Sequence, residues 1–119
     1  MLSPEWFDAA APALAALPSA GDASATVQYV VSSSPDGKVT FHAVIDGGVV
    51  TDFVLGKAAD PDVVVSCKYD AFVDVVDGTS TADVAFMDAS FKVEGDHKLW
   101  LIDLRDVRAA AYAALAGLG

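Results

Sequence analysis

Apolar and polar residues between positions 25 and 55 alternate with a period close to two, which is typical of half-buried β-strands. Residues 25–31, 39–45 and 49–55 are rich in β-branched and aromatic side chains. Two turn sequences separate these segments, Ser-Pro-Asp-Gly at residues 34–37 and Asp-Gly-Gly at residues 46–48. The pattern therefore predicts a three-stranded antiparallel meander.

Helical spacing is found on both sides of the meander and at the end of the chain. Residues 69–77 have a helical apolar pattern, and Gly78 is expected to end that helix. A first helix should begin at residues 3–5, and Pro12 is expected to kink or restart it. A last helix, with a break near Arg105, presents one apolar face formed by Trp100, Leu104, Val107, Ala111 and Leu115 and widened by Leu101 and Ile102.

Two further strands complete the predicted sheet. Residues 63–67 form a short, almost continuously apolar run, which indicates a strand inside the sheet that is covered on both faces. Residues 84–96 pass from an apolar half-helix into an alternating strand that begins at Phe91. Gly95 should end this strand, and Asp96 is a suitable N-cap for the next helix. The sheet would then have about five strands, near the usual size.

Composition adds a surplus of apolar side chains and a strong negative charge. Hydrophobic residues make up 54% of the chain, above the ~45–50% that is usual for soluble domains. The 7 basic and 17 acidic residues give a net charge of −10, which repels phosphate groups. Nucleic acid is therefore excluded as a partner, and membrane contact is expected to be at most transient. The sequence shows neither a basic leader nor a long apolar span, which argues against secretion and membrane insertion. Cys67 is the only cysteine, so an intrachain disulfide is excluded and a cytoplasmic location is expected.

Candidate catalytic and metal-binding residues are few. His42 is expected on the solvent side of its strand, and Cys67 is expected to be a buried structural thiol because no activating histidine or helix N-terminus is evident. Asp96 and His97 would point in different directions on a helix and have no third ligand nearby, which argues against a metal site. The glycines at residues 47–48 belong to a hairpin turn rather than a phosphate-binding loop. We therefore expect no enzymatic activity, metal or cofactor.

Two segments carry a resemblance to a known family. Phe-Met at residues 86–87 and Phe-Lys-Val-Glu-Gly-Asp at residues 91–96 are similar to the signature of the sterol carrier protein type 2 family, although Ala89 stands where that family usually has glycine. Residues 59–78 resemble a second element of the same family. The resemblance implies an α+β fold, a single domain over residues 1–119, with a mostly antiparallel five-stranded sheet and helices packed on one face.

The same resemblance implies a function and a set of site residues. Members of the family bind sterols, fatty acids or fatty acyl-CoA in an apolar tunnel that the C-terminal segment lines or covers, and they carry the ligand without converting it. The expected ligand-binding residues are Phe72, Val73, Val76, Phe86, Met87, Phe91, Trp100, Leu101 and Leu104. The last helix, held mostly by alanine contacts, would act as a lid. Gap-free packing of that helix on the sheet would argue against a carrier.

Two other functions are compatible with the same residues. Apolar positions at helical and strand spacing form a filled core in most domains, and the protein would then be a dimerisation or protein-interaction module. An enzyme acting on a steroid or acyl thioester would use His42 or an aspartate as base. The oligomeric state is left open between monomer and homodimer.

Overall fold

The polypeptide folds around one five-stranded sheet in a computed structural model that describes residues 4–19, 21–34 and 37–117. In chain order its elements are α1 (Pro4–Ala15), β1 (Ala25–Ser34), β2 (Gly37–Asp46), β3 (Val49–Leu55), β4 (Val63–Lys68), α2 (Tyr69–Asp77), α3 (Ala82–Met87), β5 (Phe91–Gly95), a π-helical segment (Leu99–Asp103) and α4 (Arg105–Ala116). All five predicted strands and the predicted helices are present. The turn predicted at residues 34–37 includes residues 35 and 36, which lie outside the described ranges.

The sheet has the strand order β3-β2-β1-β4-β5. Strands β1, β2 and β3 form the predicted antiparallel meander, and β4 pairs with β5 in the antiparallel direction. Strands β1 and β4 are parallel, with Val27 opposite Val63. A mixed, mostly antiparallel sheet confirms the expected fold class, and β4 lies inside the sheet as predicted.

One face of the sheet forms the core, and the helices cover that face. The inward side chains alternate along each strand, as in Val27 and Val31 of β1 and Val63 and Val65 of β4, all of which are buried. On the opposite face, the intervening residues are half-exposed, including Val64. The prediction that both faces of β4 are covered is therefore wrong for this second face, where Val64 and Ser66 keep part of their surface exposed to solvent.

The first helix packs against the outer strand β3 through aromatic rings. Phe7 lies 5.1 Å from Phe41 and 5.2 Å from Phe53, measured between ring centroids. Helix α1 runs through Pro12 to Ala15, so the predicted restart does not occur, while the alternative that Pro12 kinks the helix stays a prediction. Pro12 is exposed on this helix, so its ring lies on the solvent side and does not disturb the core.

The connection between α3 and β5 requires a left-handed residue at position 89. Ala89 has φ of 65°, a region that a Cβ disfavours. The turn is supported by the Asp88 carboxylate, which accepts a hydrogen bond from the Ser90 amide at 2.9 Å. The usual glycine of the sterol carrier family at this position therefore has a conformational reason, and this chain keeps the turn despite carrying alanine.

The end of β5 is constrained by close backbone contact with the start of β4. Gly95 has φ of 99°, and a Cβ built on it would overlap the carbonyl oxygen of Asp62. That carbonyl also accepts a hydrogen bond from the Asp96 amide at 3.2 Å. The Asp62 carboxylate accepts another from the Thr26 amide at 2.9 Å. Asp62 thus joins the ends of β1, β4 and β5, and the space beside it admits only glycine.

We predict that Gly95→Ala lowers the free energy of unfolding by about 3 kcal/mol, because it combines a disfavoured φ with a backbone overlap. Gly56→Ala is the matched control: Gly56 has φ of 112° but no atom within 4 Å of a built Cβ. It should cost only about 1 kcal/mol. Urea unfolding followed by circular dichroism measures both, and equal losses would show that the Asp62 contact contributes nothing.

Ala89→Gly should stabilise the protein by about 0.5–1 kcal/mol, because it removes left-handed strain that exceeds the entropy glycine adds to the unfolded chain. Ala109→Gly is the control, since Ala109 is an exposed residue of α4. That variant should lose about 1 kcal/mol. A loss of stability in Ala89→Gly, measured by the same urea titration, would contradict the assignment of strain to this turn.

Candidate functional site

A small apolar cavity lies between the covered face of the sheet and the C-terminal helices. Its volume is about 40 Å³. The cavity is lined by side chains of α1, the meander, α2, the π-helical segment and α4, and by Leu104 between the last two. These residues are Leu14, Val27, Tyr29, Phe41, Ala43, Ile45, Val50, Phe53, Phe72, Trp100, Leu104, Val107, Arg108, Ala111, Tyr112 and Leu115. Most of these side chains are apolar, so the cavity suits hydrocarbon rather than a polar metabolite.

The cavity is where a channel was expected, beside the last helix, but its size is different. Pockets that hold small molecules have volumes of about 300–1,000 Å³. The volume here, about 40 Å³, is closer to the space that one water molecule needs. Contact between the last helix and the sheet is therefore close without being gap-free, and a lipid chain would enter only if α4 or the side chains moved.

The nine predicted ligand-binding residues occupy four environments. Phe72, Trp100 and Leu104 line the cavity. Val76 and Phe91 are buried in the core away from it, whereas Val73, Phe86 and Leu101 are half-buried. Met87 is 82% exposed. Contact of these nine residues with a ligand stays a prediction, and the structure brings only the first three to the cavity.

Most of the cavity lining was missed by the sequence analysis. The meander contributes Tyr29, Phe41 and Phe53, and α4 contributes Tyr112. Their alternation or helical spacing marks them as inward-facing, but periodicity does not distinguish a residue that lines a cavity from one that fills a core. The signal that could have indicated a polar group in the cavity was a tyrosine at an inward-facing position, because a buried hydroxyl needs a hydrogen-bond partner.

The two tyrosines form a polar pair in which Tyr112 is buried and Tyr29 is half-buried. Their hydroxyl oxygens are 2.8 Å apart, and either one can be the donor. Burial raises the pKa of Tyr29 and raises the pKa of Tyr112 well above its ordinary value. The nearby positive charge of Arg108 lowers both values, but by less than burial raises them. Both hydroxyls therefore stay protonated in the physiological range.

Arg108 is buried and holds the π-helical segment against α4. Its Nε donates to the Trp100 carbonyl at 2.8 Å and its Nη2 donates to the Leu101 carbonyl at 3.1 Å. Nη2 is also 3.4 Å from the carboxylate of Asp83. The guanidinium carbon lies 4.4 Å from the centroid of the Trp100 ring, in cation–π contact. One charged side chain thus joins α3, the π-helical segment and α4.

The π-helical geometry explains why the Trp100 carbonyl is free to bind Arg108. The Leu104 amide donates to the Leu99 carbonyl at 2.8 Å, five residues back. An ordinary helix would have used the Trp100 carbonyl instead, so that group is left for Arg108. The break predicted near Arg105 is present one residue earlier, at Leu104.

The indole N–H of Trp100 is the one buried polar side-chain atom, among those the structure describes, that makes no hydrogen bond. Trp100 itself is fully buried and lines the cavity. The indole N–H is close enough to the Tyr29 hydroxyl to lower the pKa of that tyrosine, but the N–H makes no hydrogen bond to it. A buried donor without an acceptor is unusual in a native core.

The other titratable residues singled out in the sequence lie away from the cavity. His42 Nδ1 is 2.9 Å from the Gly56 carbonyl, on the uncovered side of the sheet. His97 Nε2 is 2.5 Å from the Val93 carbonyl. Cys67 is buried, which raises the pKa of its thiol to about 12, so its predicted structural role is supported and a thiolate is disfavoured. Within residues 4–19, 21–34 and 37–117, no group of three metal-binding side chains is gathered.

A larger hollow of about 760 Å³ opens where the ends of β1, β4 and β5 meet α2. Its charged lining residues are Lys38, Lys68, Lys92, Asp70, Asp74 and Asp88. The three lysines and three aspartates balance in charge, and the hollow is open to solvent. This polar, open surface does not have the character of a site for an apolar ligand.

Some apolar side chains near the C-terminal segments face solvent. Met87 is 82% exposed, Ile102 is 62% exposed and Val84 is 50% exposed. The prediction that Ile102 widens the buried face of the last helix is wrong, because the π-helical turn changes the rotation of successive residues and directs Ile102 outward. In the described part of the chain, every helix is too short or too polar to span a bilayer.

Comparison with protein families gives one match. The model of the SCP-2 sterol transfer family matches residues 9–101. No curated protein matches the sequence closely enough to count as a relative.

Solved structures with a similar fold share little sequence with this chain. A conserved hypothetical protein from Thermus thermophilus has a TM-score of 0.82 and 12% identity, covering 100% of this chain and 90% of its own. A crystal structure of sterol carrier protein 2 has a TM-score of 0.81 and 14% identity, with coverage of 100% and 99%. The palmitated sterol carrier protein 2 like 2 of Aedes aegypti has a TM-score of 0.68 and 16% identity, with coverage of 90% and 95%. At these identities the similarity shows the fold alone.

The buried thiol and hydroxyls predict a loss of stability at alkaline pH. Burial raises the pKa of Cys67 from its ordinary value of 9.0 to about 12, and the two tyrosines shift in the same direction. The unfolded chain therefore releases these protons at lower pH than the folded chain. Stability should be fully present below about pH 9 and should decline as the pH rises toward 12.

Urea unfolding between pH 7 and pH 11 checks this expectation. Cys67→Ala removes the thiol, so its stability should decline less over the alkaline range than that of the wild type. Ser66→Ala is the control on the neighbouring, half-exposed position of β4 and should keep the wild-type decline. The same alkaline decline in both variants would show that the thiol does not contribute.

Proposed function

Because this chain belongs to the SCP-2 sterol transfer family, we propose that it binds a hydrophobic ligand without converting it and transfers it between sites. The ligand would be a sterol, a fatty acid or a fatty acyl-CoA. The observation that carries the proposal is the apolar cavity enclosed by the sheet, the π-helical segment and α4. Family membership and the fold support lipid binding in general, and the cavity is the location that we propose for the ligand.

Apolar burial alone supplies enough free energy for binding. Each methylene group removed from water contributes about 0.8 kcal/mol, so a chain of twelve contributes about 10 kcal/mol. No charged contact is then needed. The present volume of about 40 Å³ means that the cavity must expand as the chain enters.

The movement that expands the cavity is proposed to involve α4. Sequence reasoning expected alanine contacts to hold this helix, but its buried side chains are Val107, Arg108, Tyr112 and Leu115, so that expectation is wrong. Large side chains anchor the helix, and it would move as a unit rather than fray. Removing it altogether would expose the core, which makes deletion an unsuitable test of a lid.

A fatty acid is the first ligand to test. The solved relative from Aedes aegypti is described as palmitated, and a saturated chain is narrow enough to follow a slit between a helix and a sheet. A net charge of −10 limits docking on anionic bilayers, so membrane contact is proposed to be transient. A cytoplasmic location stays a prediction.

One observation favours the alternative of an interaction or dimerisation module. A volume of about 40 Å³ is compatible with a filled core. The protein would then bind no lipid and would form a homodimer or a complex through its surface. The enzyme alternative has no comparable support, because His42 lies on the uncovered side of the sheet and not in the cavity.

We predict that Ala111→Leu weakens lipid binding while the protein stays folded. Ala111 lines the cavity from α4, and a leucine side chain would occupy the space that a ligand needs. Affinity for palmitate should fall by at least about tenfold. Ala113→Leu is the matched control, because Ala113 is exposed on the same helix, and it should bind palmitate like the wild type.

Native mass spectrometry of freshly purified protein and calorimetric titration with palmitate measure these outcomes. The wild type should carry a co-purifying lipid or bind palmitate in a one-to-one complex. If the wild type and the Ala111→Leu variant bound palmitate equally, the ligand would lie outside this cavity. A protein that binds no palmitate, acyl-CoA or sterol, and that elutes as a dimer on sizing, would support the interaction module instead.

A further inference from the structure

The cavity carries unused hydrogen-bond donors at one place in its wall. Tyr29, Trp100 and Tyr112 all line it, and the two hydroxyls are bonded to each other at 2.8 Å. The indole N–H of Trp100 lies close to the Tyr29 hydroxyl without bonding to it. These three side chains, which we call the donor cluster, are the polar part of an otherwise apolar lining, together with Arg108.

The donor cluster has more hydrogen-bond donors than acceptors. One hydroxyl donates to the other, which uses one of the two O–H protons. The proton of the accepting hydroxyl has no acceptor among the hydrogen bonds of the described residues, and the indole N–H has none either. When Tyr29 is the accepting hydroxyl, its free proton and the indole N–H lie beside each other, and what they lack is an oxygen that accepts two hydrogen bonds.

We propose that the donor cluster binds a neutral oxygen of the ligand, such as the carbonyl of a ketone or ester, an unionised acid or a hydroxyl group, and so selects chains that carry such an oxygen over plain hydrocarbon. This inference rests on the proposed function and assigns a polar subsite to it. A single oxygen of this kind would satisfy both donors at once and leave the rest of the ligand for the apolar wall.

The charges around the subsite favour a neutral oxygen over a carboxylate. The guanidinium of Arg108 is directed to the Trp100 and Leu101 carbonyls and to the Asp83 carboxylate. A ligand carboxylate would therefore be buried without a cation of its own, which is costly. The raised pKa values of Tyr29 and Tyr112 agree, since burial disfavours negative charge at this place more than Arg108 favours it.

The test compares chains of equal length that differ only in their head. Dodecane, 2-dodecanone and dodecanoate, each delivered from cyclodextrin, are titrated into ¹⁵N-labelled protein, and the indole N–H resonances are followed. The chain has two tryptophans, so the indole signal that remains in the Trp6→Phe variant belongs to Trp100. Trp6 does not line the cavity. The Trp100 indole N–H should move downfield with 2-dodecanone and should not do so with dodecane, because only the ketone offers an acceptor.

A double variant, Tyr29→Phe with Tyr112→Phe, keeps both rings and removes both hydroxyls. Its affinity for 2-dodecanone should fall by about tenfold, the loss expected for a buried hydrogen bond. Its affinity for dodecane should change by less than about twofold, since the apolar wall is retained. Tyr69→Phe removes a hydroxyl outside the cavity and serves as the control, with unchanged affinity for both.

The outcomes separate this inference from the function on which it rests. Equal binding of ketone and alkane, unaffected by the double variant, would overturn the donor cluster as a subsite and leave the carrier function standing. Tighter binding of dodecanoate than of 2-dodecanone would overturn the preference for a neutral oxygen. Failure of all three chains, and of palmitate, to bind would overturn the carrier function and this inference together.

Discussion

Arg108 is the side chain on which the arrangement of the C-terminal third depends. A buried guanidinium is expensive unless its donors are satisfied, and here the π-helical segment supplies the Trp100 and Leu101 carbonyls that satisfy them. The same contact fixes the rotation of α4, because Arg108 lies one turn beyond the break at Leu104. With α4 fixed in this way, the Tyr112 hydroxyl reaches the Tyr29 hydroxyl on the covered face of the sheet. The helix then covers the cavity, and the two tyrosines form the polar part of its wall.

Much of the fold could be predicted from sequence because its determinants are local. Strand alternation, the turn glycines and the cap at Asp96 each act within a few residues, and all correspond to elements of the structure. A restart at Pro12 does not occur, because a proline removes one hydrogen bond of a helix and leaves the others in place. The uncovered face beside Val64 was misjudged because an apolar run does not specify how many layers pack on it.

The site could be predicted only in part, since it depends on contacts between distant residues. The aromatic and aliphatic character of Phe72, Trp100 and Leu104 marked them correctly as inward-facing. Nothing local to Arg108 shows that it is buried, because a charged residue in a helix is usually solvated. The pair of Tyr29 and Tyr112 joins residues 83 positions apart, a distance over which periodicity carries no information.

The small cavity and the proposed carrier function are energetically compatible. Lifting α4 would expose Val107, Tyr112 and Leu115, at about 2 kcal/mol for each side chain or about 6 kcal/mol together. It would also break the hydrogen bonds of Arg108 to the Trp100 and Leu101 carbonyls, at about 1.5–3 kcal/mol each. A bound chain of twelve methylenes would return about 10 kcal/mol and would cover the same apolar surfaces again. The closed form and the filled form then differ by only a few kcal/mol. A carrier needs this balance, because a ligand held much more strongly would not be released, and a cavity held permanently open would expose its apolar wall to water.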